Sequence, residues 1–317
     1  MYVTVIGAAN MDVNGFSEHA MVMEDSNTGS VDFCAGGVGR NIAENLVHLG
    51  AETHLISVFG DDMAGEMLKA DSKKIGLDIS HSMFVHGSSS IYLAVMDNDG
   101  FMKVALCDLG RLNDISIEHL EAQSSFIEKS SIIVIDSNLA PTIQDFILQR
   151  FQDIPVYVDP VAVDRAINSV DCIGKFHTIK ANRFEASYLT GCPIPAPGEA
   201  DWKEAVEAAA QKLLDKGIKR VFVSLGKYGS YCRTEEESFF SPIVGGAPVN
   251  SSGGGDSFMA GIVWGSLQGW DNKRTTRFAS AMSGITVGSK STVCQNMSVA
   301  LVEEKISRGG AETRRLQ

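Results

Sequence analysis

Along the chain, short runs of β-branched and aliphatic residues alternate with longer stretches whose apolar positions recur every three or four residues. The short runs predict strands at Val3–Ile6, Thr53–Val58, Ile132–Ile135, Val156–Val158, Thr178–Lys180 and Val221–Ser224. The longer stretches predict helices at Asn41–Leu49, Gly65–Ile75, Ile143–Phe151 and Trp202–Lys216. Such alternation implies parallel βαβ units, with helices covering both faces of one sheet. Ligands of open sheets of this kind bind beyond the carboxyl ends of the strands, so residues just after each strand are the first to inspect.

One region departs from the rhythm. Ser90–Met96 and Phe101–Leu106, joined by Asp97-Asn98-Asp99-Gly100, predict a β-hairpin with a turn rich in Asp, Asn and Gly. Ser30–Cys34 is a further short alternating segment. These strands fit poorly into a parallel sheet and are expected to form a small separate sheet over the crevice. The chain shows no internal repeat, low-complexity tract or Pro/Gly/Ser linker, and its tail, Arg308–Gln317, is expected to fray into solvent.

Composition narrows the function classes. With 44% hydrophobic and 21% charged residues in 317, the chain can bury a substantial core. A formal net charge of −12 argues against broad binding to nucleic acid or an anionic membrane. An anionic substrate must then be held by local devices: helix N-termini, a divalent cation, a few placed bases. No apolar run is long enough to span a bilayer, and Met1–Gly7 reads directly as a strand without a basic n-region. The six cysteines are scattered, with no C-x-x-C pair and no His at metal-ligand spacing. They are expected to be reduced, small hydrophobic residues, in keeping with a cytoplasmic protein.

The strongest chemical signal is Asn250-Ser251-Ser252-Gly253-Gly254-Gly255-Asp256-Ser257, leading into an apolar helix from Phe258 to Leu267. Successive glycines at a helix start present backbone N–H groups to a phosphate or a developing oxyanion, with no Cβ in the way. Asp256 there is either a helix-capping residue or a general base that takes a proton from an attacking hydroxyl. A second glycine-rich helix entry, Gly36-Gly37-Val38-Gly39-Arg40-Asn41, could by itself be only a tight loop. Neither segment is a G-x-G-x-x-G fingerprint, and no Walker G-x-x-x-x-G-K-[ST] motif occurs, which disfavours a dinucleotide-binding dehydrogenase and a P-loop kinase.

Taken together, the two segments carry a resemblance. Gly36 to Gly60 resembles the first signature of the ribokinase-like (PfkB) carbohydrate kinase family, and Asn250 to Val263 satisfies its second. The resemblance implies an α/β fold: a three-layer α/β/α sandwich with a mainly parallel central sheet plus a small β-sheet lid. It implies a single domain over residues 1–317, with lid strands inserted at about 13–34 and 88–108. It further implies ATP-dependent phosphorylation of a sugar or nucleoside hydroxyl, with Asp256 as the catalytic base and Gly253, Gly254 and Gly255 as the anion hole. The family's usual run has a small residue such as Ala where this chain has Gly254.

By the same resemblance Asn10, Asp12, Gly36, Gly37 and Asn41 match acceptor-binding positions; from the residues alone Asp12 reads as a solvated turn residue. Lys180-Ala181-Asn182-Arg183-Phe184-Glu185 resembles the family's N-x-x-E motif, which gives Asn182 to the nucleotide and Glu185 to Mg2+ through water. Without the family, Asn182 and Glu185 read as a helix capping box. Ser224, Gly226 and Gly229 match a nucleotide-binding turn, beside an exposed Lys227. Many members carry Asp at the position of Asn250 and bind a monovalent cation such as K+ near it; the carboxamide here offers a carbonyl oxygen but no charge. Family relatives often dimerise through the lid, whose edge strands invite pairing.

Within the family, Gly37-Val38-Gly39-Arg40-Asn41-Ile42-Ala43-Glu44-Asn45 is most similar to the pseudouridine kinases, as are Asp136-Ser137-Asn138-Leu139 and the Asp97–Gly100 hairpin. That similarity implies transfer to the 5′-hydroxyl of pseudouridine. Ribokinase-type or fructokinase-type acceptors are the nearer alternative, and a non-catalytic sugar- or nucleoside-binding sensor is the more distant one.

Overall fold

The structure, a computed structural model, describes residues 1–244, 252–289 and 291–315. In chain order its strands are β1 (Val3–Ile6), β2 (Asn10–Ser17), β3 (Gly29–Gly36), β4 (Thr53–Ile56), β5 (Val58–Phe59), β6 (Met83–Phe84), β7 (Ile91–Met96), β8 (Met102–Asp108), β9 (Ile132–Asp136), β10 (Val156–Asp159), β11 (Thr178–Asn182), β12 (Arg220–Ser224), β13 (Ser230–Arg233) and β14 (Ser238–Ser241). The helices are α1 (Val38–His48), α2 (Met63–Ile75), α3 (Ile117–Ala122), α4 (Ser124–Ile127), α5 (Pro141–Arg150), α6 (Val163–Ala166), α7 (Arg183–Thr190), α8 (Trp202–Asp215), α9 (Gly254–Leu267), α10 (Asn272–Val287) and α11 (Val299–Arg315).

Among the described residues eight strands form the central sheet, in the order β14-β13-β12-β11-β10-β9-β1-β4. From β12 to β4 every pairing is parallel; β13 and β14 add antiparallel at one edge. Strand residues that alternate in sequence feed two apolar layers. Ile6, Ile135, Val158 and Val221 pack with Ile147 of α5 and Leu213 of α8 on one face. Val5, Val134 and Phe222 pack with Leu46 of α1, Ile262 of α9 and Phe278 of α10 on the other. Strands buried on both faces read as continuous apolar runs, which is why the sequence showed them clearly.

The chain leaves β1 for β4 on one side and returns as β9 on the other, so strand order reverses at β1. A crevice therefore opens beyond β1 and β9. Over it lies the second sheet, β3-β2-β7-β8, the expected lid. Its first two strands reach further than expected, beginning at Asn10 and ending at Gly36. Asp12 thus sits on a strand paired to Cys34 and Tyr92, not in a solvated turn.

Three other expectations change. The predicted strand Thr53–Val58 breaks at Ser57, because Val58–Phe59 leaves the main sheet to pair with β6. The tail continues as helix α11 to Arg315 instead of fraying at Arg308. Helix α9 starts at Gly254, four residues before Phe258, so two of the three glycines form its first turn. Helices α2, α7 and α10 are capped by the side chains of Asp62, Asn182 and Asp271. By contrast α1 and α9 follow left-handed-region glycines, Gly37 (φ 98°) and Gly253 (φ 75°), with no side-chain cap. At α9 no capping side chain takes the first N–H groups, as an anion site requires, whereas in α1 Gly39 N–H is taken by Asp136 Oδ2 and Arg40 N–H by Ala8 O.

Candidate active site

The central sheet delivers chemical groups in order along its carboxyl edge. Ser224 ends β12, Asn182 ends β11, Asp159 ends β10 and Asp136 ends β9. Asn182 pairs in register with Ser224, and Asp159 with Asp136. Of the sequence-predicted residues, Asn182 and Ser224 stand in this row, while Asn10, Asp12, Gly36, Gly37 and Asn41 gather at the root of the lid.

At the lid root Asn10 Nδ2 donates to Asp12 Oδ1 at 2.5 Å. Gly36 lies against the Asp12 carboxylate: a Cβ there would stand 2.4 Å from Oδ2, so only glycine lets strand and carboxylate meet. Burial raises Asp12 to about 6, partly countered by Asn10 and by the Arg40 guanidinium. Two turns of chain later Asn41 Nδ2 donates to Asp256 Oδ2 at 2.8 Å, joining residues 215 positions apart. Asp256 is thus not a helix cap; its carboxylate faces α1 instead of its own helix's N–H groups.

Asp256 is half-buried, keeping a window to the crevice while protein surrounds most of it. Burial raises it to about 7, with repulsion from Asp159 and Asp136 adding to the effect; Lys180 and the Asn41 bond pull the other way. A carboxylate poised near neutrality inside a crevice is a candidate proton acceptor. Gly253 allows the backbone to pass Thr292, whose carbonyl oxygen would lie 1.8 Å from a Cβ at that position. Gly254 faces Val287, and an alanine Cβ there would press on Val287 Cγ1 at 2.7 Å, which accounts for the glycine at this position.

The sequence singled out neither Asp159 nor Lys180 as a site residue. Lys180 Nζ forms an ion pair with Asp159 Oδ2 at 2.7 Å, both side chains almost fully buried. Burial lowers Lys180, but Asp159, Glu185 and Asp256 more than offset it, so the ammonium stays charged. It also approaches the glycine turn: a Cβ on Gly255 would stand 2.8 Å from Nζ. A signal existed in the chain, since both are ionisable residues in strands otherwise apolar; what they meet lies on other strands and on α9. Asp136, also buried, accepts from the backbone N–H groups of Ala8 at 2.7 Å and Gly39 at 2.9 Å, clamping the β1 exit to the start of α1.

At the ends of β11 and β12, Asn182 and Glu185 form the reciprocal capping box of α7. Asn182 Oδ1 accepts from Glu185 N at 3.0 Å, and Glu185 Oε2 accepts from Asn182 N at 2.7 Å. Glu185 is 1% exposed and its carboxyl is raised, burial outweighing the attraction of Lys180. Gly226 (φ 58°) and Gly229 (φ 91°) shape the turn after β12, while Lys227 is exposed beside Tyr228. Asn250 lies outside the described residues.

Three buried or half-buried carboxylates, Asp159, Glu185 and Asp256, face the buried Lys180, and a fourth, Asp136, adds its charge beside Asp256. That excess of negative charge fits a nucleotide arriving with a divalent cation. Among the described residues no three His, Cys, Asp or Glu side chains form a metal cage, so such a cation would depend mainly on water and phosphate oxygens. The described cysteines are all free, and no helix of the described residues is long and apolar enough to cross a membrane. A cavity of about 510 Å³ lies at the opposite end of β11 and β12 beside His177, Arg220 and Arg233, away from the glycine turns and carboxylates.

Comparison with known proteins agrees with this geometry. Residues 1–297 match the pfkB family carbohydrate kinases. The pseudouridine kinase of Escherichia coli is 34% identical over 303 residues, covering 95% of this chain and 95% of that protein. An uncharacterized sugar kinase of the same species, YeiI, is 33% identical over 292 residues, covering 92% of this chain and 79% of that protein. The Arabidopsis thaliana ribokinase complexed with ribose and ATP superposes with a TM-score of 0.83 at 20% identity, covering 96% of this chain and 98% of that one. The chain belongs to the PfkB family of carbohydrate kinases and is a phosphotransferase that acts on a sugar hydroxyl.

Proposed function

We propose that this kinase transfers the γ-phosphoryl group of ATP to the 5′-hydroxyl of pseudouridine, with Asp256 as general base. The observation that carries the catalytic part is the Asn41–Asp256 hydrogen bond, which joins the acceptor loop to the glycine-led helix. In this reading Asp12 accepts hydrogen bonds from the ribosyl hydroxyls, and Asn10, whose Nδ2 holds the Asp12 carboxylate, offers them its carboxamide oxygen as a second acceptor. Asn41 aims the Asp256 carboxylate at the attacking hydroxyl, and Asp256 takes its proton as the oxygen bonds to the γ-phosphorus. The bond from that phosphorus to the β–γ bridging oxygen breaks, releasing ADP. The N–H groups of the Gly253–Gly255 turn receive the charge that builds on the transferred phosphoryl oxygens. Lys180 holds a fixed positive charge beside that turn. Asn182, Ser224, Gly226 and Gly229 line the nucleotide's place. Mg2+, when bound, supplies charge neutralisation to the phosphates, and Glu185 would hold one of its waters. For K+, the relevant position, Asn250, lies outside the described residues.

A nucleoside acceptor is supported by the identity to a pseudouridine kinase and by Tyr92, which pairs with Asp12 across the lid and so shares its face. A flat base beyond the ribose would meet that ring, whereas a free pentose would leave it bare. The opposite lid face is apolar and exposed at Val31 (58%), Phe33 (49%), Val104 (49%) and Leu106 (65%), and we assign it to a second copy of the chain. The test of function is a coupled assay with pseudouridine, uridine, ribose and fructose. Magnesium-dependent turnover with pseudouridine the preferred acceptor is expected; preference for ribose would overturn the narrower reading, and no turnover with any of the four would overturn the wider one.

A further inference from the structure

Arg40 is 1% exposed, one of the largest fully buried side chains, and nothing in the reaction above uses it. It stands between two acceptor-loop residues, Gly39 and Asn41, with its backbone N–H on Ala8 O at 3.0 Å. Its guanidinium reaches three elements at once. Nη1 donates to Glu44 Oε2 on α1 at 2.8 Å and to the carbonyl of Ala35, in lid strand β3, at 3.3 Å. Nη2 donates to Asp71 on α2. Glu44 is held in turn by Gln295 Nε2 at 3.0 Å. A buried arginine with two carboxylates is usually only a structural ion pair. Here it also ends at the root of the lid, and its charge acts on both Asp12 and Cys34, which face each other across β2 and β3.

We propose that Arg40 is a positioning residue for the acceptor site: it fastens the root of the lid to α1 and α2 and sets a buried positive charge behind Asp12. This rests on the reading of Asp12 as an acceptor-binding carboxylate. A hydroxyl-binding carboxylate must be ionised to offer only acceptors. Burial opposes that, holding Asp12 at about 6, and Arg40 opposes the burial. The ionisable groups around Asp12 are Cys34 on β3, Tyr92 on β7 and Arg40 on α1, with Glu44 and Asp71 partnering the guanidinium.

The test follows Asp12 directly, by carboxyl-carbon NMR of aspartate-labelled protein, the resonance assigned with Asp12→Asn. In Arg40→Gln the Asp12 midpoint should rise by about one pH unit, the usual effect of losing a neighbouring opposite charge. In Asp71→Asn it should fall by roughly half a unit, because the guanidinium is then less neutralised. Asp71 is 38% exposed, so that variant keeps the experiment decisive if Arg40→Gln does not fold. Arg40→Lys should leave the midpoint near its original value while raising the KM for pseudouridine and leaving that for ATP alone. An unmoved midpoint in Arg40→Gln and Asp71→Asn overturns the proposal, as does one moved the same way in both. Since the NMR readout needs no acceptor, its failure is distinct from failure of the kinase reading, which the acceptor panel decides.

Discussion

The two halves of the crevice are built differently. Beyond β11 and β12 the groups lie within short stretches: Asn182 and Glu185 hold each other across three residues, and Gly226 and Gly229 shape one turn. At the lid root and the glycine-led helices the partners are far apart in sequence: Asn41 meets Asp256, Asp136 meets Gly39 and Ala8, and Arg40 meets Asp71. The local half can keep its shape while loop and lid move; the distant half exists only when three layers are packed together. Burial raises carboxylates in both halves, Asp12, Asp136 and Asp256 to about 6 or 7 in the distant one and Glu185 in the local one. Desolvation thus follows how closely a group is walled in and not how far away its partners lie in sequence.

That contrast can be broken first at Asp256. Asp256→Asn should lose at least ~100-fold in kcat, the scale of removing a general base, with the KM for ATP little changed. Near-normal steady-state turnover would remove Asp256 from its role. In the unmodified enzyme kcat/KM for the acceptor should fall about tenfold per pH unit below about 7, where Asp256 takes a proton, and more steeply below about 6, where Asp12 joins it. A flat profile between pH 5 and 8 would contradict both assignments.

Asp12→Ala should raise the KM for the acceptor by ~10–100-fold, the weight of a charge-assisted hydrogen bond, and spare the KM for ATP. Glu185→Gln should do the reverse, raising the KM for Mg·ATP by about tenfold. Its melting temperature should hardly move, since glutamine can keep the capping box. Equal effects of either variant on both substrates would erase the division between the halves.

The smallest effect concerns stability. Asp256 is raised on folding, so the folded state holds its proton more tightly than the unfolded chain. Stability present below the ordinary carboxylate range is therefore lost as pH rises to about 7. Asp256→Asn, which cannot ionise, should raise Tm by a few degrees at pH 8 and by less at pH 5. A lower Tm at pH 8 would mean that Asp256 carries structure as well as chemistry.

The sequence by itself determined six of the eight central strands, the hairpin of the lid and the capping box of Asn182 and Glu185, because each follows from neighbours a few residues away; the antiparallel edge strands β13 and β14 went unread. It also drew attention to the residues at the lid root, through a resemblance, though not to their state. Asp12 looked like a turn residue because nothing nearby in the chain reveals that β3 and β7 flank it. Asp256 could have been a cap, because only the packing of α1 against α9 brings Asn41 within 2.8 Å of it. The helix start at Gly254 was hidden for a similar reason: glycine is a poor helix former, and the turn forms because Lys180, Val287 and Thr292 pack around it. Asp159, Lys180 and Arg40 were legible only as charges in apolar surroundings. Which charge each would meet, and how far burial would move it, depends on distances across the fold that no local pattern encodes.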